Sequence, residues 1–270
     1  MDILIDADII AYRAAASSEI AVDFKTDDCC GELCCESYPE KLIPAIKANV
    51  SDWLSVVKDL LMVDTAKKEK LFNSADIIMA LSDDDKNWRK NLCPDYKANR
   101  TDVHKPVLLQ KAREYIQENY KFLKFSNLEA DDVIGIQATL KDDVQKVVVS
   151  IDKDFYTVPC RWINPVKRMR KYVSTLEANF NHMIQTLTGD TADNYSGCPG
   201  VGLKRAHKAL NYFEADRWWD VVVDLYNKKG LDEDAAIVQA RLARILRAED
   251  YNFQTGEIKL WKPKTLSNQD

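Results

Sequence analysis

Three short apolar runs interrupt the mixture of polar and apolar positions, and each stops at a hydroxyl or carboxylate. Ile3 to Ile5 ends at Asp6, Ile77 to Leu81 ends at Ser82 and Asp83, and Val147 to Ile151 ends at Asp152. Runs of this length, rich in β-branched side chains, predict buried strands. Between them, residues 40–71, 106–119 and 128–141 carry helical periodicity, and Ile9, Ile10 and Tyr12 begin another helix. Strands alternating with helices predict an α/β fold with a parallel sheet covered on both faces. In such sheets ligands collect beyond the carboxyl ends of the strands, where the acidic residues fall.

The pattern changes after residue 174. An apolar stripe through Phe180, Ile184 and Leu187 is followed by a glycine-rich turn from Gly189 to Gly202 and by helical stretches near 203–212, 216–228 and 232–248. The chain therefore divides into an α/β unit, 1–174, and a helical region, 175–270. Ala21 to Tyr38 has mixed charge and weak periodicity and reads as a long loop or insertion.

With 270 residues, 46% of them hydrophobic, the chain is long enough to bury a full core. No apolar run approaches the roughly 20 residues of a membrane helix, and Asp2, Asp6 and Asp8 do not suit a signal-peptide core. A soluble, intracellular protein is expected. Seven cysteines are an odd number, and Cys29, Cys30, Cys34 and Cys35 crowd together without disulfide-framework or zinc-finger spacing. Reduced thiols are expected there.

The net charge of −5 hides local basic blocks. Residues 86–113 hold eight Lys or Arg, and Arg161, Lys167, Arg168, Arg170 and Lys171 form a second block with no acid inside it. Each block suits either a solvated face or a nucleic-acid footprint.

The candidate chemistry lies in Asp6, Asp83, Glu129, Asp131, Asp132, Asp152, Asp154, Asp190 and Asp193. Singly, each has a structural reading: Ser126 to Glu129 fits a capping box, Asp131 and Asp132 suit the positive end of a helix, and Asp190 suits a turn. Gathered at one sheet edge, like charges about 6 Å apart repel by about 3 kcal/mol per pair at an effective dielectric near 20. Such a cluster calls for cations. Oxygen donors without histidine or cysteine suit Mg²⁺ or Mn²⁺, and two such ions clamp an in-line displacement at phosphorus. Separately, Cys198 to Ala206 places Gly200 and Gly202 before a helix bearing Lys204, Arg205, His207 and Lys208, an arrangement suited to phosphates.

These motifs, in order, resemble the flap-endonuclease-like 5′ nuclease superfamily, in particular its phage-encoded, podovirus-type 5′-3′ exonucleases. Leu4-Ile5-Asp6-Ala7-Asp8 is similar to the first metal motif. Ser82-Asp83 with Asn87-Trp88-Arg89-Lys90 and Tyr96-Lys97-Ala98-Asn99-Arg100 is similar to the second, and Glu129-Ala130-Asp131-Asp132 to the third. Ser150 to Phe155 and Thr188 to Asn194 resemble the fourth and fifth, and residues 197–206 the family's helix-hairpin-helix turn. Ala7 stands where glycine is usual, and Asp83-Asp84-Asp85 leaves open which aspartate faces a metal.

The resemblance implies a PIN-like core with a helical arch over about 84–115, followed by a helical region with a helix-hairpin-helix. It places Asp6, Asp83, Glu129 and Asp131 on a first Mg²⁺ or Mn²⁺, Asp152, Asp154, Asp190 and Asp193 on a second, and Asp132 behind a bound water, with K⁺ as a further ion at the hairpin. Lys97 becomes the electrophile over the scissile phosphate, with Arg89 and Arg100 steering the 5′ strand. Tyr96, Arg100, Gly200, Gly202, Lys204 and Arg205 become DNA contacts. The implied activity is 5′-3′ exodeoxyribonuclease, joined by 5′-flap and RNA–DNA hybrid cleavage, in the host cytoplasm and without membrane or obligate protein partner. Two alternatives stay open: an aspartyl-phosphate phosphatase using Asp6-Ala7-Asp8, and a non-catalytic DNA-binding protein of the same fold.

Overall fold

The computed structural model describes residues 1–22, 34–61, 65–100 and 104–263. In chain order these form β1 (Asp2–Asp6), α1 (Ala7–Ser17), β2 (Glu19–Val22), β3 (Cys34–Ser37), α2 (Pro39–Leu60), α3 (Ala66–Asn73) and β4 (Asp76–Ala80). Next come α4 (Leu109–Asn119), β5 (Phe122–Leu123), α5 (Ala130–Ala138), β6 (Lys146–Val149), β7 (Cys160–Asn164) and β8 (Met169–Val173). The helices α6 (Thr175–Thr188), α7 (Leu203–Leu210), α8 (Trp218–Asn227) and α9 (Glu233–Leu242) follow.

The three strands read from the apolar runs form the centre of a six-stranded sheet of order β5-β4-β1-β6-β7-β8. β1 pairs in parallel with both β4 and β6, and only β8 runs antiparallel. Successive side chains on a strand face opposite ways, so both faces must be covered. Ile3 and Ile5 pack with Ala11, Ile46 and Ile116 of α1, α2 and α4, whereas Leu4, Ile78 and Val148 pack with Val133 and Ile134 of α5.

Other predicted elements change on inspection. The helix expected over 40–71 stops at Leu60, and α3 starts anew from Thr65, whose side chain accepts the Lys68 N–H. The stretch expected as helix to 248 ends at Leu242. The second basic block is the β7–β8 hairpin, an edge whose Tyr172 is 71% exposed, and the predicted loop at 21–38 contributes the antiparallel β2–β3 ribbon. Residues 23–33 of that loop, with Cys29 and Cys30, lie outside the described residues, as do the side chains of Cys34 and Cys35. Among the described residues, no helix is long and apolar enough to cross a membrane.

The helical arch expected over 84–115 is corrected as well. Among its described residues only Leu109 onward is α-helical, and Trp88–Asn91 and Ala98–Arg100 are short 3₁₀ turns. Asn87 caps the first by accepting the Arg89 N–H, and Pro94 disfavours helix for the residue before it. Trp88, Arg89 and Tyr96 are buried, so this stretch lies down on the core.

The helical region has its own core, built from Ile184, Leu187, Val201, Leu210, Val222 and Tyr226. After α9 the chain returns to the α/β unit, where Ile245 and Leu246 pack among Leu128, Ile134 and Phe155. The approach is close enough that a Cβ on Gly135 would meet the Leu246 carbonyl oxygen at 2.4 Å.

Candidate active site

Beyond the carboxyl ends of β1 and β6, a cleft of about 490 Å³ gathers Asp6, Asp8, Glu129, Asp131, Asp152, Asp154, Asp190 and Asp193. Local rules place each one. Asp6 ends β1 and caps α1, and the Ser150 hydroxyl donates to it at 3.1 Å. Glu129 and Asp131 stand at the positive end of α5. Asp152 caps the 3₁₀ turn Lys153–Thr157 by accepting the Asp154 N–H at 2.8 Å. Asp190 and Asp193 arrive on the loop after α6, which turns at Gly189. That residue sits at φ 65°, and a Cβ there would meet the Tyr195 carbonyl oxygen at 2.4 Å. Only glycine fits both demands.

The cleft has two electrostatic ends. Burial, with Asp8 and Asp152 nearby, pushes Asp6 up to about 7. Burial together with Asp152 and Asp190 pushes Asp154 up to about 7 as well. Burial also raises Asp131, helped by Asp6 and Asp152, and it raises Asp152. At the other end burial opposes the charged form of Glu129, yet Arg89 and Lys97 overcome it and carry the group down to about 2. There the Lys97 ammonium pairs with Glu129 and lies 3.6 Å from Asp193. The Tyr96 hydroxyl sits between Glu129, at 3.0 Å, and Asp193, at 2.8 Å, and Arg100 donates to Asp193 at 2.6 Å.

Residues 3–183 match the family model described as the N-terminal resolvase-like domain of 5′-3′ exonucleases. The chain belongs to the 5′-3′ exonuclease family. The exodeoxyribonuclease of Enterobacteria phage T3 is 28% identical over 97% of this chain and 93% of its own length. The exonuclease of Escherichia phage T7 is 32% identical over 73% of this chain and 77% of its own. Among solved structures, the bacteriophage T5 D15 protein co-crystallised with metal ions shares the fold, with a TM-score of 0.57, 15% identity, and coverage of 90% of this chain and 88% of that one. The T5 D15 flap endonuclease in complex with DNA and metal ions superposes with a TM-score of 0.51 at 15% identity, covering 70% of this chain and 80% of that one. This chain is thus a phage-type 5′-3′ exonuclease of the flap-endonuclease-like kind, and the phosphatase reading is set aside.

Within the exonuclease, three of the candidates stand apart from their expected places. Asp83 does not line the cleft. Its carboxylate accepts the Asn127 N–H at 2.5 Å and the Asp85 N–H at 3.2 Å, and these contacts hold it below the usual carboxylate range. Asp132 is wholly buried and accepts four hydrogen bonds, two from Arg89 and one each from the Trp88 indole and the Leu246 N–H. A carboxylate offers about four lone-pair sites, so nothing remains for a bound water.

Arg89 is the third. Only 3% exposed, it spends all five N–H groups on Asp132, Glu129 and the carbonyls of Leu242 and Arg244. It clamps the wall of the cleft and has no donor left for a DNA strand. Lys97, Tyr96 and Arg100 do reach the cleft, whereas Gly200 and Gly202, on the turn before α7, and Lys204 and Arg205, in its first turn, are exposed and do not line it. Asp8, which sequence analysis places in the first metal motif without giving it an ion, lines the cleft from the first turn of α1.

The donor chemistry of the cleft fits hard divalent ions, since its acceptors are carboxylate oxygens whose charged forms burial and mutual repulsion oppose. Among the described residues, no three acidic, histidine or cysteine side chains yet enclose one point. The carboxylates line the walls, with Lys97 and Tyr96 between Glu129 and Asp193.

Proposed function

We propose that this exonuclease hydrolyses phosphodiester bonds at DNA 5′ ends with two divalent ions, Mg²⁺ or Mn²⁺, held by the acidic cleft. The carrying observation is the convergence of carboxylates from four separate stretches of chain, with Asp6, Asp131, Asp152 and Asp154 held above their ordinary range. Asp6, Glu129 and Asp131 would hold one ion and Asp152, Asp154, Asp190 and Asp193 the other. Bound there, the ions supply Lewis-acid activation of water and of the leaving oxygen.

The chain's own residues do the rest. The Lys97 ammonium, at the mouth between Glu129 and Asp193, offsets charge developing on the scissile phosphate. Arg100 and Tyr96 orient the 5′ strand, and the turn at Gly200 and Gly202 with Lys204 and Arg205 grips duplex phosphates, with K⁺ as its companion ion. Contacts to phosphate carry no base information, so sequence preference is small. The α/β unit, 1–174, carries most of the chemistry, and the helical region, 175–270, adds Asp190 and Asp193 to the cleft and supplies the grip. Acting in the host cytoplasm without an obligate protein partner, the enzyme takes duplexes with a free 5′ end, 5′ flaps and RNA–DNA hybrids. The relatives support this reading: one is named for exodeoxyribonuclease activity, and T5 structures were obtained with DNA and metal ions.

Labelled duplex, 5′-flap and RNA–DNA hybrid substrates, offered with Mg²⁺ or with chelator, test it. Release from the 5′ end in Mg²⁺ alone is expected, and undiminished cleavage in chelator refutes the metal reading.

The carboxyl shifts also set a pH dependence. In the ion-free fold, Asp6 and Asp154 keep their protons up to about pH 7, whereas ordinary aspartates release them near 3.8. Between those values the folded chain binds more protons than the unfolded chain, so stability from these groups is full below the lower value and falls as pH rises through the upper one. Divalent ions bind the deprotonated groups and stabilise the fold most where that loss is complete. The gain in melting temperature from added Mg²⁺ is therefore expected to be larger at about pH 8 than at about pH 5. A gain independent of pH would contradict it.

A further inference from the structure

We infer that Asp8, held by Arg113, is the carboxylate contributed where β1 and β4 meet, in the role that the Ser82-Asp83 motif suggests for Asp83. The inference rests on the two-ion reading and assigns one of its ligands. β1 and β4 run side by side in parallel, with Asp6 opposite Ala80, so the residues just past Ala80 emerge beside the first turn of α1. Leu81 goes into the core, and Ser82 then faces the cleft. Asp83 turns away: its N–H donates to the Leu128 carbonyl, and its carboxylate accepts the Asn127 N–H across the fold and the Asp85 N–H within its own turn. The side chain at the lip of β4 is thus a serine, without charge.

Asp8 supplies the missing carboxylate from across the gap. One oxygen accepts the Ser82 N–H at 3.0 Å, and the other is held by the Arg113 guanidinium. The Ser82 hydroxyl is itself engaged, accepting the Ala130 N–H at 2.8 Å. Arg113 also donates to the Ser82 carbonyl at 2.5 Å and pairs with Asp84 at 2.8 Å, so one arginine of α4 fixes both the carboxylate and the strand end beside it. Its Nε is buried without a partner. An unsatisfied buried donor is costly, and here the two terminal nitrogens are committed to the Asp8–Ser82 wall instead. Asp8 keeps 27% of its side chain exposed to the cleft, and two of its lone-pair sites remain open to an ion or an ion's water. Arg113 is then a positioning residue, acting on the ion through Asp8.

The test measures Mn²⁺ binding to the full chain without DNA, by titration calorimetry, in wild type and in Asp8→Asn, Asp83→Asn, Arg113→Met and Arg113→Lys, with thermal melts to confirm folding. Asp8→Asn keeps the shape of the side chain and is expected to weaken Mn²⁺ about tenfold, in the range by which supporting groups tune metal affinity. Asp83→Asn is expected to leave affinity within about twofold. Arg113→Met weakens it, and Arg113→Lys restores part of the loss. If Asp83→Asn weakens binding as much as Asp8→Asn does, or if Asp8→Asn changes nothing while wild type binds, the assignment of Asp8 falls and the two-ion reading stands. If wild type binds no Mn²⁺, both fall.

Discussion

Replacing Asp152 by alanine is expected to lower kcat/KM for 5′-end cleavage about a thousandfold while leaving DNA binding nearly intact. Asp152 is the hub of the cleft's repulsion, because its charge contributes to the upward shifts of Asp6, Asp131 and Asp154 together. It caps the turn that presents Asp154, and it faces both ends of the cluster. Losing a ligand that several groups share forfeits several kcal/mol of transition-state stabilisation, and each 1.36 kcal/mol is about tenfold in rate. Affinity for DNA follows a different rule. In chelator, where no bound ion is at stake, removing one negative charge from a surface that faces phosphates cannot weaken binding electrostatically, so the dissociation constant measured there stays level or improves. Measured kcat/KM within tenfold of wild type would remove Asp152 from the centre of the site.

Arg89→Ala is expected to cost about 3–5 kcal/mol of folding stability, the range for breaking a buried ion pair by deleting one partner. Arg89 and Asp132 are 3% and 0% exposed, so neither recovers its hydration when the other is lost. The substitution also strands the carbonyls of Leu242 and Arg244 and removes the guanidinium stacked 4.6 Å from the Trp88 ring. Urea unfolding reads the loss directly. Pairing Arg89→Met with Asp132→Leu should recover part of it, because no charge is then left buried alone. A loss below about 1 kcal/mol in the single variant, judged against the surface-pair range, would show that the pair is not the clamp described.

Periodicity reveals strands that are buried on both faces, which is why β1, β4 and β6 were legible. It misses β7 and β8, where exposed basic side chains, Arg161 in β7 and Arg170 in β8, mask the alternation. The carboxylates that end the central strands were legible for the same reason. Which neighbour faces the cleft was not, because one residue of advance past a strand end redirects the side chain. Ser82 and Asp83 differ by that single step. In α5, Asp131 and Asp132 are about 100° apart around the helix axis, so one reaches the cleft and the other the core. Arg89 reads as one of a basic run because its acceptors, at 129, 132, 242 and 244, lie 40 to 155 residues away and leave no local mark.

The return of the polypeptide after α9 matters for anyone building chimaeras. Carbonyls of Leu242 and Arg244 and the Leu246 amide complete the bonding of Arg89 and Asp132, so a stretch beyond the last long helix is mortared into the catalytic wall. Exchanging everything after residue 174 with the equivalent from another phage would plant foreign backbone against the native guanidinium. A graft that stops short of residue 242, or carries the 88–89 and 129–132 segments along with it, keeps that joint matched.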